Sequence, residues 1–260
     1  VVTVTHKGYI KRVPLSTFRA QRRGGKGRAG MRTHEDDFVT RLFVASTHTP
    51  VLFFSSLGRV YKLKVYRVPL GAPQARGKAM VNLFPSLGPG ETITAVLPLP
   101  ESEELWHSLS IFFATARGRV RRSELADFVR VTSIGKIAMG LEEGDRLIGA
   151  EVCDDRHDVL LASAGGQAIR FPVETLRVIK SRSSEGVIGM DLASGDEVIS
   201  MTILDHVEVT TDERDAYLRW SNARRRAAGE AVDDSETADP AEPAGLPLLR
   251  LDELARHEQL

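Results

Sequence analysis

The stretch Val51-Leu52-Phe53-Phe54-Ser55-Ser56-Leu57-Gly58-Arg59-Val60-Tyr61-Lys62 reads as a β-hairpin. An apolar run leads into a small polar turn, Gly58 closes the turn, and a second run ends in a cation. Glycine at that place supplies the positive φ that tight hairpins need. The same signature occurs three more times. It is Val1-Val2-Thr3-Val4-Thr5-His6-Lys7-Gly8-Tyr9-Ile10-Lys11, then Ile111-Phe112-Phe113-Ala114-Thr115-Ala116-Arg117-Gly118-Arg119-Val120-Arg121-Arg122, then Val159-Leu160-Leu161-Ala162-Ser163-Ala164-Gly165-Gly166-Gln167-Ala168-Ile169-Arg170. The anchors Gly8, Gly58, Gly118 and Gly166 lie 50, 60 and 48 residues apart.

Two further features recur in step with the hairpins. Gly25-Lys26-Gly27, Gly77-Lys78-Ala79, Gly135-Lys136-Ile137 and Gly186-Val187-Ile188 follow them, and Gly90-Glu91, Gly144-Asp145 and Gly195-Asp196 lead into the last apolar run of the later units. Repeats of about 40–50 residues, each with several short strands, are the mark of propeller blades. A helical reading fails, because Pro14, Pro50, Pro69, Pro73, Pro85, Pro89, Pro98 and Pro100 break most windows of the first hundred residues. The expected fold is all-β, with propeller-like blades of four short antiparallel strands at about 1–50, 51–109, 110–158 and 159–204. Residues 205–260 form a separate segment. In it, 211–228 reads as a helix behind the caps Thr211 and Asp212, 229–245 as an acidic linker without a cation, and 246–260 as a second short helix.

The formal net charge is zero over 260 residues, yet the charge is unevenly spread. Residues 1–80 hold 16 Lys and Arg against 3 Asp and Glu, 81–200 hold 12 against 18, and 201–260 hold 7 against 14. A basic part joined to an acidic tail suggests a polyanion partner. Cys153 is the only cysteine, so no intrachain disulfide is possible, which fits a reducing cytoplasm. No apolar run approaches the ~20 residues of a membrane span. The chain opens inside a strand pattern without an initiating Met, as a piece of a longer protein would.

No catalytic constellation emerges from the sequence. Lys26, Lys78 and Lys136 each follow a glycine but none precedes Ser or Thr, so the P-loop pattern fails. No paired-cysteine or His-Glu-x-x-His motif offers a metal site, and His34 beside Glu35 and Asp36 is a solvated turn rather than a ligand set. Tyr9 and Tyr61 occupy strand positions and read as packing residues. What does recur is cations at equivalent places: Lys11 and Arg12 end the first hairpin, Lys62 and Lys64 the second, Arg121 and Arg122 the third, and Arg170 the fourth. Arg76, Lys78 and Lys136 recur one and two units after the first basic loop. On a radial array these positions share a rim, and cations on phosphate fix register without reading bases.

That first basic loop is Gln21-Arg22-Arg23-Gly24-Gly25-Lys26-Gly27, followed at once by Arg28. Uncovered glycine N–H groups beside Arg and Lys suit an oxyanion such as phosphate. The heptad matches letter for letter the box of the family formed by the C-terminal domains of DNA gyrase A. Asp37-Phe38-Val39, Arg41-Leu42, Gly58-Arg59-Val60-Tyr61, Val81-Asn82-Leu83 and Glu91-Thr92-Ile93-Thr94-Ala95 support the match, and the chain resembles that family from residue 1 to about 204. The resemblance implies a six-bladed β-pinwheel that wraps duplex DNA with a fixed hand, where only four units are counted here. It implies DNA contacts by the box residues, and a box in the first blade that helps join it to the last. It also implies a place in an ATP-hydrolysing type II topoisomerase, where the rest of the gyrase A chain and the gyrase B chain form an A2B2 assembly. Magnesium and ATP belong to that whole enzyme, and this segment alone is expected to do no chemistry. The alternatives are the corresponding topoisomerase IV domain, in whose family the box is degraded, and a propeller serving as a protein–protein scaffold.

Overall fold

The computed structural model describes residues 1–19, 23, 27, 30–227, 229 and 246–256. Along the chain run β1 (Val2–Thr5), β2 (Tyr9–Arg12), β3 (Val39–Phe43), β4 (Pro50–Ser55), β5 (Arg59–Lys64), β6 (Lys78–Ala79), β7 (Ile93–Pro98), β8 (Ser110–Thr115), β9 (Arg119–Glu124), β10 (Lys136–Ile137), β11 (Leu147–Cys153), β12 (His157–Ser163), β13 (Ala168–Pro172), β14 (Val187–Ile188) and β15 (Val198–Asp205), then α1 (Thr211–Ala227) and α2 (Leu248–Arg256). The chain divides into two compact units, Val1–Ile203 and Leu204–Leu260.

The first unit is four antiparallel sheets, ordered β3-β1-β2-β6, β7-β4-β5-β10, β11-β8-β9-β14 and β15-β12-β13. Each of the first three hairpins read from the sequence forms the middle of one sheet, and the fourth forms β12 and β13 of the last sheet, with β13 at its edge. The expected contiguous blades need correcting, because the fourth strand of each of the first three sheets comes from the following repeat. The fourth sheet holds three strands. Exchange happens where a glycine at positive φ (Gly77 at 80°, Gly135 at 87°, Gly186 at 81°) turns the incoming chain onto the edge of the previous hairpin. The hairpin glycine then accepts the next N–H groups. Met80 donates to the Gly8 carbonyl at 2.8 Å, Ala138 to Gly58 at 2.8 Å, and Gly189 to Gly118 at 2.9 Å.

The apolar runs are continuous rather than alternating because the central sheets are covered on both faces. Val51 and Phe53 of β4 pack with Val2, Val4, Ile10 and Tyr61, whereas Leu52 and Phe54 pack with Ile111, Phe113 and Trp106. Phe112 and Ala114 of β8 face the other way, onto Val159, Leu161 and Val198. Edge-to-face aromatic pairs join neighbouring sheets, as Phe54 and Phe113 do with ring centroids 5.3 Å apart. Cys153 is buried in the third of these cores, and burial pushes its thiol pKa up to about 12, which keeps it an unreactive packing residue.

The second unit is a helix pair around Tyr217, Leu251 and Leu254. The cap of α1 lies one residue earlier than expected. Thr210 Oγ1 accepts the Glu213 N–H at 3.2 Å, and the Glu213 carboxylate accepts the Thr210 N–H at 3.0 Å. This reciprocal pair satisfies two N–H groups at once, which Thr211 and Asp212 do not. The linker 230–245 lies outside the described residues.

One turn makes an acid-stability prediction. The Arg156 side chain and backbone N–H and the His157 ring hold the Asp154 carboxyl at about 2, against the opposing effect of burial. The folded value lies below the ordinary one of about 3.9. Its contribution to stability is therefore full above pH ~4 and lost as pH falls toward ~2. In urea titrations across pH, Asp154→Asn is expected to be less stable than the parent at pH 7, with the gap closing by about pH 2. A gap constant with pH would show that the carboxylate charge is not what stabilises the turn.

Candidate nucleic-acid interface

The structure sorts the expected rim cations into two sets. Lys11 is fully buried, and its Nζ donates to the carbonyls of Gly30 (2.8 Å), Ala72 (3.0 Å), Ala75 (3.0 Å) and Pro73. Desolvation pulls its pKa below the usual lysine value. Arg121, also fully buried, donates to the carbonyls of Arg182 (2.9 Å), Ile179 (3.3 Å) and Ser184 (3.3 Å), and burial lowers its pKa too. Lys62 donates to the Val129 carbonyl and stands 5.7 Å from the centre of the Trp106 ring. Arg122 is engaged by Ser110, Val173 and Asp155. These four point inward, a correction to the rim read from the sequence. For Lys11, Lys62 and Arg121 the physical reason is that the connection entering each exchange strand carries carbonyls with no ladder partner, which a long cation from the preceding hairpin satisfies, whereas Arg122 is held by the Asp155 carboxylate and the Ser110 hydroxyl.

The other set faces solvent. Lys64, Arg76, Lys78 and Arg170 are exposed, while Arg12 and Lys136 are half-buried. Arg12 Nε donates to the Val68 carbonyl at 2.8 Å, and Arg170 Nε to the Asp158 carboxylate at 2.7 Å. Of the basic heptad, Arg23 is exposed and Gly27 has φ 65°. Gln21, Arg22, Gly24, Gly25, Lys26 and Arg28 lie outside the described residues.

The recurring Gly-Asp pairs have a role that the sequence reading did not assign. Asp145 accepts the N–H groups of Arg117 (3.1 Å) and Arg146 (2.7 Å), and Asp196 those of Gly165 and Glu197, both at 2.8 Å. Asp37 does the same in the first repeat for Lys7 (2.8 Å) and Phe38 (3.0 Å). These N–H donors hold its carboxyl below the usual value although burial opposes them. Each carboxylate braces a hairpin turn, and its regular spacing after the hairpin was the available signal. Tyr61 is fully buried and hydrogen-bonded to Glu91 at 3.2 Å, and Tyr9 stacks on His34 at 4.4 Å, so both tyrosines are packing residues. Among the described residues no three His, Cys, Asp or Glu side chains come together as a metal site. Among them, too, no helix is long and apolar enough to cross a membrane.

Successive four-stranded sheets, each completed by a strand from the next repeat and edged with exposed cations, define the class: a strand-exchanging β-pinwheel. The sequence matches the family model described as "DNA gyrase C-terminal domain, beta-propeller" over residues 1–46, 49–100, 110–154 and 157–205. The chain belongs to that family. It is 54% identical over 238 residues to the DNA gyrase A protein of Rickettsia bellii, covering 91% of this chain and 26% of that protein. It thus spans about a quarter of the length of that curated relative. Among solved structures, the DNA gyrase A C-terminal domain superposes with a TM-score of 0.57 at 26% identity, covering 78% of this chain and 64% of that one. The C-terminal domain of DNA topoisomerase IV superposes with a TM-score of 0.67 at 23% identity, covering 79% and 61%, and shares the fold.

Proposed function

We propose that this chain binds duplex DNA through phosphate contacts and bends it, as the wrapping part of a DNA gyrase A protein that supports ATP-dependent negative supercoiling. The observation that carries this reading is the solvent-facing set of cations, repeated from blade to blade, in a chain of the gyrase C-terminal family. Magnesium, ATP and the gyrase B chain, in an A2B2 assembly, enter through parts of that enzyme outside this segment, which alone does no strand cleavage. A cytoplasmic location follows from the DNA substrate and from a single buried thiol.

The experiment is energy transfer between dyes on the two ends of a duplex. Bending a 20–30 bp arc by 40–90° costs about 1–6 kcal/mol elastically, which only contacts made in the curved state can offset. Arg22, Arg23 and Lys26 are three of the 16 cations in residues 1–80. Replacing all three with Ala in the intact gyrase A protein is expected to leave most affinity while sharply reducing bending and plasmid supercoiling. Bending and supercoiling that survive while affinity alone drops would reduce the box to ordinary phosphate contacts.

The acidic segment 229–245 carries six carboxylates and no cation. Like charge repels DNA, so the segment competes for the cationic surface. Deleting 205–260 is expected to tighten binding, most clearly at low salt, where screening is weak. Equal affinities of the two chains at low salt would make the segment a spacer.

A further inference from the structure

The Lys11 side chain joins two segments that are far apart in the chain. From β2 its Nζ donates to the carbonyl of Gly30, three residues past the basic heptad, and to those of Ala72, Pro73 and Ala75, in the connection that enters β6. An ammonium has three N–H groups, so four carbonyls occupy all of them. The side chain is fully buried, and a buried charge is tolerated only where its donors are satisfied. The same flank is held a second time. A Cβ on Gly77, the glycine that turns the chain into β6, would stand 3.1 Å from Met31 Cε, so the Met31 side chain lies against that turn. The segment after the heptad is thus fastened to the strand that the second repeat gives to the first sheet.

The matching place in the later repeats lacks this double grip. Lys11 stands three residues after the hairpin glycine Gly8, as Arg121 does after Gly118. Arg121 is buried as completely, but its partners, the carbonyls of Ile179, Arg182 and Ser184, all belong to the following repeat. Tyr61 holds the place in the second repeat and bonds Glu91, and Ile169 holds it in the fourth, where it is exposed. Among the described residues, only in the first repeat does this side chain reach the connection of its own repeat, and that connection carries the heptad. A charged segment fastened in advance loses less conformational freedom when it binds.

We propose that Lys11 is a positioning residue for DNA bending, which fastens the flank of the basic heptad to the entering strand β6 and so sets where Arg22, Arg23 and Lys26 meet the duplex. The proposal rests on the heptad holding the DNA curved. It is tested in the intact gyrase A protein by energy transfer across an end-labelled duplex at saturating protein, and by hydrogen exchange read by mass spectrometry. Lys11→Met keeps the length of the side chain and removes its donors. It should speed exchange across residues 27–34 and 70–80 at least about tenfold, the change in local opening that one lost charge-assisted bond produces. Bending should fall to the level of the Arg22, Arg23 and Lys26 alanine triple. Adding Lys11→Met to that triple should cause no further loss, because both act through one set of contacts. Lys11→Arg should keep parental bending, since an arginine fits the matching place in the third repeat. Arg121→Met, an equally buried loss, should open residues 176–190 and leave bending unchanged. Met31→Ala loosens the same flank from a half-buried position and should lower bending too, which keeps the test decisive if Lys11→Met does not fold. Parental bending in Lys11→Met or Met31→Ala, an additive loss with the triple, or an equal loss in Arg121→Met would overturn the proposal. Normal bending by the alanine triple would instead overturn the reading on which the proposal rests.

Discussion

Affinity for a duplex of arbitrary sequence is expected to fall about 10³–10⁵-fold between 50 and 200 mM salt. That is the loss for a protein neutralising roughly six to ten phosphates, because each contact releases condensed counterions. The first unit has the means, since residues 18–31, 66–80, 129–139 and 176–190 hold 13 Lys and Arg and one carboxylate. Lys11 and Arg121 do not count toward the total, because both are fully enclosed by backbone carbonyls. Nor do the paired arginines count fully, because a phosphate must displace Glu142 or Glu197 to reach them. Fluorescence anisotropy with two duplexes of unrelated sequence measures both slope and selectivity. A flat salt response, or strong preference for one duplex, would contradict phosphate-dominated binding.

Gly118→Ala is expected to destabilise the first unit by about 3 kcal/mol, far more than Gly166→Ala. Both glycines close hairpin turns at positive φ, 77° and 84°. An L-residue in that region costs roughly 1–2 kcal/mol. At Gly166 that is the whole cost, since a Cβ there meets nothing within 4 Å. At Gly118 a Cβ would intrude on the Met190 carbonyl and press on Leu192. It would displace the N–H groups of Gly189 (2.9 Å) and Met190 (3.1 Å) from the Gly118 carbonyl, at about 1 kcal/mol net for each bond lost. For a unit of this size, each kcal/mol lowers Tm by about 2–4 °C. Thermal unfolding followed by circular dichroism should separate the two variants by several degrees, and equal losses would mean that β14 does not dock on this turn.

The four hairpins were legible because each combines an apolar run with a glycine turn, a local pattern that needs no knowledge of neighbours. The exchanged strands were half legible. Gly77-Lys78, Gly135-Lys136 and Gly186-Val187 stood out as repeats, but nothing in a two-residue strand says which sheet it joins. The cap of α1 was missed by one residue because Thr210 and Thr211 are equivalent until the reach of Glu213 is known.

By itself, the sequence determined the all-β class, the number of hairpins, the break near residue 204 and the basic, glycine-rich composition of residues 21–27, since turn chemistry, periodicity and composition are properties of short segments. Only the tertiary structure decided what each cation does. Lys11, Lys78, Arg121 and Arg177 are equally basic in the sequence, yet two are buried against carbonyls of the next repeat and two face solvent. Which carbonyls lack partners is fixed by the exchange of strands between repeats about fifty residues apart, and a side chain's role there depends on the backbone groups that arrive beside it.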